Sequence, residues 1–116
     1  MQSHENLSVW KKSIDLAIRI YHLTDKFPVQ ERYGLTSQMR RAAVSIPSNI
    51  AEGRRRGTDA DFLNFLRIAH GSLAELDTQL LISSKLMFCT EDEFRACSAH
   101  TTEVGKMLHG MMRSIR

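Results

Sequence analysis

Apolar side chains recur along this chain with the spacing of helices, and no stretch makes a convincing strand. Between residues 8 and 26, Lys11, Lys12, Asp15, Arg19, His22 and Lys26 project onto one narrow helix face. Two adjacent apolar stripes fill the rest: Trp10, Ile14, Ala17, Ile18 and Tyr21 beside Val9, Leu16, Ile20, Leu23 and Phe27. Together they cover an arc of about 220°, whereas a surface helix facing one core needs roughly 100°. Part of this helix therefore calls for a partner beyond the core. Phe27-Pro28 ends the segment, because a residue before proline is pushed out of the α region.

The segment from about 59 to 88 gives the clearest period. Phe62, Leu66, Ala69, Leu73, Leu76, Leu80, Ser83 and Met87 are spaced alternately by four and three. Phe94, Cys97, Thr101, Val104, Leu108, Met111 and Ile115 repeat that row in the last segment, after Thr90-Glu91-Asp92-Glu93, which has the form of a capping box. A seven-residue row suits left-handed helix packing at about 20°, the geometry of four-helix bundles. Leu63, Ala74, Leu81 and Phe88 add apolar surface beside the row, and Gly71 inside it reads as a point of close backbone approach.

Residues 40 to 57, RRAAVSIPSNIAEGRRRG, pose a choice between a phosphate-binding loop and a helix that carries a proline. Leu35, Met39, Ala42, Ile46, Ile50 and Gly53 keep helical spacing straight through Pro47, which predicts one helix over 35 to 56, kinked at Pro47 rather than ended. Proline in a helix interior removes a hydrogen bond and crowds the carbonyl four residues back, at about 3 kcal/mol. Ser45, Ser48 and Asn49 are close enough to satisfy the freed groups. Gly57 suits the left-handed position after the helix, and Thr58 caps the next one, with Asp59 and Asp61 in its first turn. The fold expected is all-α: an up-and-down, left-handed four-helix bundle occupying residues 1 to 116 as one domain.

Composition changes this picture little. The chain has 116 residues, 42% of them hydrophobic, with a formal charge of +3 and a pI near 9.1, an excess that permits polyanion binding without demanding it. Cys89 and Cys97 lack metal-ligand spacing, and no signal-peptide pattern or membrane-length apolar run is present, so a reducing cytoplasm is expected. GRRRGT lacks the Lys-Ser/Thr pair of a Walker loop and follows no strand. The five histidines have no HExxH or i,i+4 spacing, Ser72 sits in no GxSxG elbow, and Glu75 and Asp77 are two apart, so they point to different helix faces. No catalytic residue, metal ligand or cofactor is expected, and the six methionines read as core filler.

The segments LSVWKKSIDLAIRIY, FPVQERYGLTSQMRRAAVSIPSNIAEGRRRG and LRIAHGSLAELDTQL, with SIPSNIAEG at their centre, resemble the bacterial 23S ribosomal RNA intervening-sequence protein family. The resemblance spans essentially the whole chain. It implies an up-and-down four-helix bundle and a ring of five subunits, as in the similar accessory variability determinant proteins of diversity-generating retroelements. It implies no settled activity. Family members are often encoded in insertions within ribosomal RNA genes, and the retroelement relatives are basic scaffolds that bind a reverse transcriptase and nucleic acid.

Two function classes follow. One is a non-enzymatic protein that binds RNA or DNA without reading bases, through Arg40, Arg41, Arg54, Arg55 and Arg56 with Lys11, Lys12 and Arg19. The plain alternative for these residues is a solvated helix face, partly neutralised by Glu52. The other is a homo-oligomeric scaffold that binds a partner protein through leftover apolar surface and has no nucleic-acid role.

Overall fold

A computed structural model of the chain describes residues 3–115. Four helices make the fold: α1 (Ser8–Thr24), α2 (Leu35–Arg55), α3 (Asp59–Lys85) and α4 (Glu91–Ser114), with 3-10 turns at His4–Asn6 and Val29–Glu31. No strand occurs among the described residues. Each helix packs on its neighbours in sequence, α1 also closes against α4, and the diagonal pairs stay apart. Short connections make consecutive helices antiparallel, which gives an up-and-down bundle. It measures 43 × 24 × 19 Å.

The core follows the sequence rows closely. Val9, Leu16, Ile20, Leu23 and Phe27 of the second α1 stripe share one buried core with Met39, Ala42, Ile46 and Ile50 of α2 and the row Phe62 to Ser83 of α3. From α4 come Cys97, Thr101, Val104 and Leu108. Met87 leaves the expected row. Helix α3 ends at Lys85, and Met87 stands 81% exposed at φ 61°. There the Met87 amide donates to the Ser84 carbonyl and the Phe88 amide to Ser83, a Schellman closure with methionine in the left-handed position that glycine usually takes.

Helix boundaries have visible causes. The Thr90–Glu93 capping box is formed in both directions, at 2.8 and 3.1 Å. Thr58 accepts from the Asp61 amide, and Gly57 has φ +88°, so the α2–α3 corner is built as its residues suggest. Helix α2 runs unbroken through the buried Pro47. Asn49 Nδ2 donates to the Ser45 carbonyl at 2.8 Å and to the Ser45 hydroxyl, which in turn bonds Ser72 on α3.

Close backbone approach occurs at a different glycine from the one expected. Gly71 is exposed on the outer face of α3, and a Cβ there would meet nothing within 4 Å. A glycine inside a heptad-bearing helix need not lie on the heptad face, and Gly71 does not. Gly53 is the tight position, where a Cβ would come within 2.5 Å of Phe65 Cβ on α3.

Candidate nucleic-acid interface

The basic residues singled out by the sequence occupy several places on the bundle. Arg54, Arg55 and Arg56 close α2 at the corner leading into α3. The Arg54 guanidinium lies over the Phe62 ring at 4.7 Å, and that of Arg56 over Phe65 at 5.0 Å. Arg56 also donates to Glu52 at 2.9 Å, so Glu52 meets its i,i+4 neighbour. Arg55 is exposed and makes no hydrogen bond or ion pair among the described residues. Lys11 and Lys12 lie near the start of α1, which the antiparallel packing brings to the same end. Lys11 is exposed, and Lys12 reaches Glu103 on α4 at 3.7 Å.

The other three lie apart from that end. Arg40 is a clamp between helices: its Nε donates to Thr24 at 2.8 Å, one terminal nitrogen donates to Asp25 at 2.9 Å, and the guanidinium covers the Tyr21 ring at 4.6 Å. Its bonds belong to the α1–α2 contact. Arg41 is exposed beside a polar cleft lined by Gln38, Ser45, Ser72 and Glu75. Arg19 sits midway along α1 in a cleft against α4. The eight residues therefore form one basic end, one structural clamp and two isolated cations. Sequence reading missed Phe65 as a brace, although Phe62 and Phe65, three apart just after the arginines, were the available signal.

Two other surfaces bear on function. The first apolar stripe of α1 lines a groove of about 570 Å³ with Val44, Pro47, Ser48 and Ala51 of α2. Ile18 and Tyr21 remain 51% and 42% exposed there. The α1–α4 cleft, in contrast, is lined mostly by charged and histidine side chains, with Cys97 among them. Burial pushes the Cys97 thiol above its ordinary value of 9.0, Arg19 pulls it partly back and Cys89 adds to the rise. Burial also raises Cys89, against the pull of Lys26. His70 and His109 approach across α3 and α4 with ring centroids 5.7 Å apart. Among the described residues, no three His, Cys, Asp or Glu side chains gather as a metal site. No described helix is long and apolar enough to cross a membrane.

The sequence profile of the 23S rRNA-intervening sequence protein family matches residues 5–110. The chain belongs to this family. The chain is also similar to a crystal structure from Bacteroides thetaiotaomicron, a protein of unknown function from the S23 ribosomal protein family. The two share 26% identity with a TM-score of 0.83, over 90% of this chain and 95% of the other. No curated protein matches. An intervening-sequence protein thus keeps this bundle at low identity, and neither the family description nor the crystallised relative names a reaction.

Proposed function

We propose that the protein is a non-enzymatic, self-associating module that binds RNA or DNA through phosphates, without reading bases. The observation that carries this reading is the basic end of the bundle. Three consecutive arginines close α2, two of them are held over phenyl rings, and Lys11 stands at the same end. Stacking over an aromatic ring braces a guanidinium, and bracing reduces the entropy lost when a phosphate is bound. Self-association multiplies the effect, because several weak phosphate contacts acting together release counterions together. A family described by ribosomal RNA intervening sequences fits a nucleic-acid setting.

The test is fluorescence anisotropy with unrelated single- and double-stranded RNA and DNA over a salt series. Replacing Arg54, Arg55 and Arg56 by Gln is expected to weaken binding about equally for all sequences and flatten the slope of log K against log salt, with oligomer size unchanged. Absence of wild-type binding at about 50 mM salt, where phosphate contacts are strong, removes the nucleic-acid role. A second reading, a homo-oligomeric scaffold for a partner protein, is supported by the apolar α1–α2 groove.

A further inference from the structure

Two ion pairs bracket the α1–α4 seam, Lys12 with Glu103 towards one end and Lys26 with Glu93 towards the other. Along the seam opens a cleft of about 490 Å³ with the Lys26–Glu93 pair in its lining, within the roughly 300–1,000 Å³ of small-molecule sites. Helix α4 opens it with two short side chains, Ala96 and the buried Cys97, opposite the middle of α1. Several polar groups lining that stretch are not consumed by the fold. Arg19, His22, Asp15, Asp92 and His100 make no hydrogen bond or ion pair among the described residues.

Their arrangement constrains what the cleft could hold. Asp15 and Arg19 are four apart on one helix, so their side chains start about 5–6 Å from each other, yet no ion pair joins them. A simple anion seated on Arg19 would face Asp15, and a simple cation seated on Asp15 would face Arg19. A molecule carrying a carboxylate and an ammonium on one carbon bridges the two with each charge opposed by its complement. Leu23, Ile18 and Ala96 supply apolar surface beside that pair for a short side chain. His22 and His100 add donors from the two walls.

We propose that the α1–α4 cleft binds a small zwitterion of the α-amino-acid class, its carboxylate on Arg19, its ammonium on Asp15 and its side chain against Leu23. The proposal is independent of the basic end of α2. Titrating the full-length protein with L-leucine, 4-methylpentanoate and isoamylamine, followed by amide NMR shifts, tests it. Leucine is expected to shift α1 and α4 amides around the cleft, with each single-charge analogue at least about tenfold weaker because one charged contact is lost. Arg19→Gln is expected to weaken leucine by about tenfold at unchanged melting temperature, while Arg67→Gln, on the exposed side of α3 and outside the cleft, leaves leucine binding unchanged. Equal binding of the three probes, equal loss in both variants, or no shift at millimolar leucine overturns the proposal.

Discussion

At Gly53 the absence of a side chain is what lets α2 and α3 meet. An alanine Cβ would stand 2.5 Å from Phe65 Cβ, too close for a rotamer change to relieve. Overpacking of this kind costs about 1–3 kcal/mol, against about 1 kcal/mol gained from helix propensity. Gly53→Ala is therefore expected to lower stability by up to about 2 kcal/mol, read by urea denaturation. An unchanged midpoint would mean the helices separate at little cost. Met87 is the opposite case. Its side chain is exposed and its backbone is left-handed, which disfavours any residue with a Cβ. Met87→Gly is expected to raise stability by about 0.5–1 kcal/mol, checked by thermal melting. Neither effect was legible beforehand, since Gly71 looked like the tight glycine and Met87 like the end of a core row.

Among the elements, α2 holds the most information about how sequence and structure divide the work. Its helical spacing ran through Pro47, and the helix does the same; the Asn49 amide goes to the Ser45 carbonyl, whereas the carbonyl that Pro47 frees is that of Ala43. Pro47→Ala restores a backbone donor to a helix that already exists. Circular dichroism is expected to show unchanged helical content and a higher melting temperature. If the variant instead lost assembly at intact helicity, the proline would be acting through the groove surface it lines with Trp10, Ile14 and Tyr21. Helix α1 shows the same division: its two apolar stripes were plain in the sequence, but which one entered the core was not. Packing against α2 and α4 buried Leu16 and Ile20, leaving Ile18 and Tyr21 at the groove.

For the whole molecule, the apolar surface left outside the core is the strongest argument for association. Besides the α1–α2 groove, the outer part of α3 exposes Ile68, Leu81 and Ile82 near Gly71 and Ala74. Scattered apolar residues are ordinary on a monomer, but a groove and a helix face on one small bundle are more than a monomer usually leaves wet. Light scattering at micromolar concentration is expected to report an oligomer, and a ring of five is what the family resemblance implies. Ile18→Glu is expected to shift the population toward monomer while preserving helical content. A wild-type monomer at that concentration would overturn the argument from the apolar arc.

By itself the sequence determined the four helices, their caps at Thr58 and Thr90, the core rows and the passage of α2 through Pro47. Each of these depends on residues within a few turns of one another, where spacing and capping chemistry act. Tertiary structure decided what depends on neighbours distant along the chain. It chose which glycine faces a phenylalanine, set Arg40 between α1 and α2 while Arg54 and Arg56 rest on α3, and left unpaired charges between α1 and α4. An arginine's sequence context states its charge, but the partners that hold or release that charge come from other helices.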